Sequence, residues 1–244
     1  MSSGTQATGL GPQLPLALRY PPDQRFESFI APPEGAVSAL QALAAEPDAD
    51  WVYLCGATRT GKTHLALAAC AAAEQQHRRA AYLPMAAAAG RLRDALDALE
   101  GHDVVALDGV DAIAGTREDE VALFDFHNRA RTSGLNVLYT ARGIPDEIGL
   151  VLPDLRSRLQ QCLRVALHPL DDDGRRDVLR DRAQRRGLVV EDAALDWLLT
   201  HTDRDLGALV ALLDRLDRAS LAAQRRVTVP FLRQALGHGH TEAP

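Results

Sequence analysis

Eight residues constrain this chain more than any other stretch: Gly56-Ala57-Thr58-Arg59-Thr60-Gly61-Lys62-Thr63, a GxxxxGK[ST] pattern. Of the 27 basic residues, Lys62 is the one lysine and all the others are arginine. A compact ammonium is therefore placed where a broad planar guanidinium would not fit. The apolar run Trp51–Cys55 before the pattern reads as a buried strand. The alanine- and leucine-rich stretch after it, His64–Glu74, reads as a helix. A glycine-bearing loop between strand and helix turns backbone N–H groups inward around phosphates, and the helix N-terminus adds partial positive charge. In this setting Lys62 reaches the β- and γ-phosphates and the Thr63 hydroxyl holds Mg²⁺. The candidate nucleotide-binding residues are Gly56, Ala57, Thr58, Arg59, Thr60, Gly61, Lys62, Thr63 and His64.

A second strand, His102–Asp108, ends in a carboxylate, and Asp108 is the candidate to hold Mg²⁺ through water. The next residue, Gly109, has no side chain to polarise an attacking water. Asp111 follows two residues later and is expected to point elsewhere. The chain thus reads as equipped to bind ATP or ADP with Mg²⁺ and poorly equipped to cleave ATP alone. A missing general base leaves turnover slow by roughly 10²–10⁴-fold.

Strand and helix patterns alternate through the first two thirds. Strands are expected at Arg79–Leu83, Leu135–Thr140 and Leu163–Leu167, and helices at Ala86–Leu99, Glu118–Thr132 and Asp154–Gln160. The alternation predicts an α/β fold, a parallel sheet flanked by helices. From Asp171 onward strands stop, and Asp171–Arg186, Glu191–His201, Asp205–Gln224 and Pro230–Leu236 read as four helices. The expected organisation is a flexible tail over 1–24, a P-loop nucleotide-binding domain over 25–170, a small all-helical lid domain over 171–237 and a C-terminal tail over 238–244.

Composition narrows the partners. The net charge of −6 and the Asp and Glu residues interleaved with the Arg175–Arg186 cluster argue for a solvated helix face and against strong sequence-specific DNA binding. No apolar run approaches the ~18 residues of a membrane span, so no membrane partner is expected. Three widely spaced cysteines suit a reducing, cytoplasmic setting. In the tail, Gln13-Leu14-Pro15-Leu16-Ala17-Leu18 sets three leucines at every second position behind a glutamine. In an extended peptide these leucines face one way and can enter apolar pockets together. A strand strapped over the chain's own domain is the alternative reading.

The P-loop followed by His64-Leu65, the strand ending at Asp108, Leu152–Leu159, Leu213–Ser220 and Thr228-Val229-Pro230-Phe231 together resemble the Hda family. These are DnaA-related regulatory inactivators of bacterial replication initiation, within the DnaA-like AAA+ proteins. The resemblance spans residues 13 to 236. It implies a P-loop AAA+ sheet followed by a helical lid. It also implies docking of Gln13, Leu14, Pro15, Leu16 and Leu18 on the DNA polymerase sliding clamp (beta subunit). Arg158 of Ser157-Arg158-Leu159 takes the place of an arginine finger acting in trans on DnaA-bound ATP. Thr140 matches the sensor-1 position, and Phe26, Phe29 and Ile30 match the segment lining the base pocket. The sensor-2 arginine of the third lid helix aligns with Gly207, with Arg204 one turn earlier. The implied function is negative regulation of initiation, with ADP or ATP bound, DnaA and the clamp as partners, and a second copy of the chain as a further candidate partner. The competing class is an autonomous AAA+ ATPase of the initiator or helicase-loader type; the chain's end soon after Leu236 is expected to leave no room for an initiator's DNA-binding helix-turn-helix.

Overall fold

Side chains alternate faces along each strand, and this period builds the molecule. In the computed structural model, which describes residues 24–202, 206–223 and 226–237, β1 (Val52–Cys55) sends Val52 and Leu54 to one side and Tyr53 and Cys55 to the other. β3 (Val104–Asp108) and β4 (Asn136–Ala141) repeat the division: Val104, Ala106 and Leu138 face one core, Val105, Leu107, Val137 and Tyr139 the other. A strand buried on both faces belongs in the middle of a parallel sheet. With β2 (Ala80–Pro84) and β5 (Leu163–Ala166) as edges, the five strands are parallel in the order β2-β3-β4-β1-β5.

One face of the sheet is covered by α1 (Ala36–Ala45) and α2 (Lys62–Gln75), through Leu40, Leu43, Leu65, Ala69 and Ala73. The last carbonyls of α1 have no helical partner of their own. Leu43, Ala44 and Glu46 carbonyls are captured by the Arg78 guanidinium, and those of Leu43 and Glu46 also by the buried Asn136 amide, at 2.7–3.2 Å.

The opposite face carries α3 (Met85–Ala88), α4 (Leu92–Asp97), α5 (Arg117–Ser133) and α6 (Pro153–Gln160). The one helix expected over Ala86–Leu99 is therefore two. Gly90, at φ +80°, separates them, and the buried Asp119 carboxylate accepts from the Gly90 and Leu92 amides at 2.7 and 3.3 Å. A tertiary acceptor overrides the helical propensity of the alanine run.

The C-terminal part packs α7 (Asp172–Arg185), α8 (Asp192–His201), α9 (Leu206–Ala223) and α10 (Val229–Gly237) around Leu179, Leu195, Leu198, Leu209, Leu213 and Leu232. Asp171 caps α7 by accepting from Gly174 N–H at 2.8 Å. One parallel bridge, Val190 to Val227, joins the extended segments before α8 and α10, where no strand pairing was expected. The interleaved arginines and aspartates of α7 do pair, as in Arg176 with Asp173 and Asp196, and Arg180 with Asp177 and Asp192. Among the described residues no helix is long and apolar enough to cross a membrane.

Candidate nucleotide-binding site

The sheet order opens a crevice. β1 and β4 are neighbours, and the connections that leave them pass over opposite faces of the sheet, through α2 from β1 and through α6 from β4. In open α/β sheets ligands bind outside the carboxyl ends of the strands at such a point. A cleft of about 1170 Å³ opens there between the sheet and α7 and α9.

Its floor is the Gly56–Thr63 loop. Gly61 precedes α2 at φ +92°, and a Cβ on it would stand 2.5 Å from the Phe29 ring. Glycine is thus required twice, for the left-handed turn and for the ring above it. The amides of the first turn of α2, from Lys62 to His64, have no carbonyl of the helix to bond. The Lys62 ammonium donates to the Gly56 and Ala57 carbonyls at 2.6 and 2.7 Å. Burial lowers its pKa, while Asp111 and Asp108 oppose that shift and Arg142 adds to it. An ammonium beside the unbonded amides of a helix N-terminus, with a glycine where a Cβ would intrude, is a donor set that a polyphosphate chain fits.

Parallel register puts Asp108 beside Thr140 and Pro84. Its carboxylate receives three hydroxyls: Thr63 at 2.7 Å and Tyr82 at 2.7 Å on Oδ2, and Thr140 at 2.5 Å on Oδ1. The Thr140 hydroxyl in turn accepts from Gly109 N–H at 2.9 Å. Burial and the bond to Asp108 raise the Tyr82 pKa, so the phenol stays a donor. Among the described residues no group of three or more His, Cys, Asp or Glu could hold a metal. What the fold brings together here is the Thr63 hydroxyl and the Asp108 carboxylate, two oxygen groups in contact at 2.7 Å.

Asp111 does not point elsewhere. It lines the cleft, accepts from Arg142 N–H at 2.9 Å and pairs with the Arg142 Nε at 3.0 Å. The short turn Val110–Ala112 after Gly109 brings it back across the end of β4.

Phe29, Ile30 and Ala31 line the cleft together with Val178 of α7 and Val210 of α9. The Phe26–Ser28 turn is held by His64, whose Nε2 lies 2.9 Å from the Arg25 carbonyl and whose ring meets Phe29 edge-on. His64 therefore secures the wall of the cleft. From the lid, Arg185 donates to the Glu27 carbonyl at 3.1 Å.

Arg158 stands away from the cleft, exposed on the last turn of α6, and among the described residues no carboxylate pairs with it, Asp154 included. The helix that carries it is anchored by Glu120. This fully buried carboxylate accepts from Gly115, Val151 and Leu152 N–H at 2.7–3.0 Å and fixes the loop that enters α6. Beneath lies His127, buried against Trp51 and bonded to the Tyr139 hydroxyl at 3.0 Å. Burial, with Arg131 and Arg158 nearby, lowers its pKa to about 4. Sequence reasoning missed Tyr82, Glu120, Arg142 and His127, because each acts through a partner 12 to 32 positions away. Gln13, Leu14, Pro15, Leu16, Leu18 and Arg204 lie outside the described residues; Gly207 lies in the first turn of α9.

Residues 172–236 match the family model described as Hda, lid domain. Among solved structures, domain III of the Thermotoga maritima replication initiation protein DnaA is similar with a TM-score of 0.75, at 19% identity over 91% of this chain and 99% of that one. AMPPCP-bound DnaA from Aquifex aeolicus is similar with a TM-score of 0.64, at 21% identity over 80% of this chain and 66% of that one. The Thermotoga maritima RuvB Holliday junction branch migration motor shares the fold with a TM-score of 0.61, at 18% identity over 88% of this chain and 71% of that one.

Proposed function

We propose that this chain, an AAA+ protein of the Hda/DnaA-like type, is a negative regulator of replication initiation that binds ADP or ATP and completes the ATP site of DnaA in trans. One observation carries the reading. Arg158 is an exposed guanidinium without a carboxylate partner among the described residues, on a helix whose entry loop is pinned by a buried acid, in a chain whose lid matches the Hda lid. A planar, delocalised cation held ready for a neighbour's γ-phosphate is what an arginine finger requires, and such fingers are worth on the order of 10³–10⁵-fold in hydrolysis.

The chain's own cleft has the groups to hold a nucleotide. Lys62 and the amides of the loop meet the phosphates, Thr63 and Asp108 supply oxygens for Mg²⁺, and Phe29 and Ile30 form the apolar wall for the base. A Mg²⁺ ion held by Thr63 and Asp108 would supply charge neutralisation to the phosphates. Tyr82 and Thr140 fix the Asp108 carboxylate. Gly109 offers no second acid, which supports slow cleavage in this chain and catalysis in the partner's site. Gln13, Leu14, Pro15, Leu16 and Leu18 are assigned to the sliding clamp. Three leucines contribute ~1.5–3 kcal/mol each, less the cost of ordering the peptide, which suits a reversible contact.

A second reading, an autonomous AAA+ ATPase of the DnaA or helicase-loader type, is favoured by the place of Asp111 on the cleft wall. Hydrolysis of DnaA-bound ATP, measured with and without DNA-loaded clamp, separates the two. The regulatory reading expects stimulation that needs clamp, is lost in Arg158→Ala with clamp binding retained, and is lost together with clamp binding in the Leu16→Ala/Leu18→Ala pair. Brisk ATP turnover by the purified chain alone, with no effect on DnaA, supports the autonomous enzyme and rejects the regulator.

A further inference from the structure

We infer that Arg142 is the residue by which this cleft distinguishes ATP from ADP, its guanidinium leaving Asp111 for the terminal phosphate. The inference rests on the nucleotide reading of the cleft given above.

The two nucleotides differ by one phosphoryl group, so only side chains near the phosphate end can bind them differently. The cleft is polarised in a way that marks that end. Val178 of α7 and Val210 of α9 are apolar lining from the lid, whereas Asp108 and Thr140 stand at the carboxyl ends of β3 and β4 and Lys62 opens α2. Arg142 follows Thr140 by two residues, beyond the end of β4, and lines the same cleft. Its charge reaches Lys62, as does that of Asp111, with opposite effects on the ammonium. Arg175 and Arg182 are also on the wall, but they come from α7 on the lid side.

The way Arg142 is held suits exchange. Its side chain is 73% exposed and its ion-pair partner is Asp111, which is 15% exposed and is also tied to the Arg142 backbone N–H. The carboxylate is thus fixed by the main chain and the guanidinium by the carboxylate. An exposed ion pair is weak. A terminal phosphate carries more charge and takes an arginine through two parallel bonds, so it competes for the guanidinium while Asp111 keeps its backbone bond.

The test is binding of ADP and of a non-hydrolysable ATP analogue to the full chain with Mg²⁺, in wild type, Arg142→Ala, Arg142→Lys and Asp111→Asn. Arg142→Ala is expected to weaken the ATP analogue at least tenfold and ADP less than twofold, so that ADP binding also reports an intact fold. Arg142→Lys, which keeps the charge and loses the fork, falls between. Asp111→Asn removes the competitor and tightens the ATP analogue severalfold relative to ADP. A ratio of the two affinities that Arg142→Ala leaves unchanged, whether both hold or both fall together, overturns the assignment to Arg142. A wild-type chain that binds neither nucleotide overturns the nucleotide reading itself, and the proposal with it.

Discussion

The sheet half and the lid keep their charges in different places. In the sheet half, Asp119 and Glu120 are buried and bonded to loop amides, Asn136 is buried against the end of α1, and His127 is enclosed by aromatic rings. In the lid, the described core is leucine, alanine and valine, and the acids of α7 meet arginines on the surface. Buried polar groups bonded to the main chain specify one arrangement, because any slip costs them those bonds. Surface pairs leave the arrangement to apolar packing and are screened by salt. Position is thus fixed most tightly where Asp108, Thr140 and the helix bearing Arg158 are set.

Glu120→Ala should break this contrast most visibly. It leaves the amides of Gly115, Val151 and Leu152 without their acceptor, and should cost about 2–4 kcal/mol, read as a lower urea midpoint. A loss below about 0.5 kcal/mol would mean that water replaces the carboxylate and that the sheet half is no more tightly specified than the lid.

The second test uses pH. His127 titrates near 6.5 when unfolded and at about 4 in the native chain. Above pH 6.5 both states are neutral and the group is silent. As pH falls from 6.5 to about 4, the unfolded chain takes up a proton that the native chain refuses, so stability falls; below 4 the loss levels off. His127→Phe should flatten this part of the stability profile. The same slope in the variant would reject the assignment to His127.

The smallest effect is expected on α7. Arg180→Met removes the pairs with Asp177 and Asp192 and should shift stability by less than about 1 kcal/mol at low salt, with the difference vanishing as salt is raised. A large, salt-independent loss would show that the lid also depends on fixed charge.

The P-loop, the strand ending at Asp108 and the alternation of strands and helices were legible because each is a local pattern: a motif, a run, a period. What the patterns left out are contacts made across the sheet. Nothing near Tyr82 announces that its hydroxyl meets a carboxylate on the next strand, since the pairing depends on parallel register. Glu120 reads as one more acid in the first turn of a helix until the fold brings Val151 and Leu152 to it. The same cause accounts for the helix that breaks at Gly90 and for Asp111, whose direction is set by the turn after Gly109 and by Arg142. The Val190–Val227 bridge is a single contact, too short to leave a period.

The ring of His64 grips the main chain at Arg25, and the aromatic side chain four positions on lies over Gly61. His64 is also two residues from Lys62, whose ammonium closes on the Gly56 and Ala57 carbonyls. The segment from Arg25 to Phe29 is therefore coupled to the first turn of α2 through an imidazole and an aromatic ring. A displacement of either segment has to be felt by the other, because neither contact can be kept while one side moves alone.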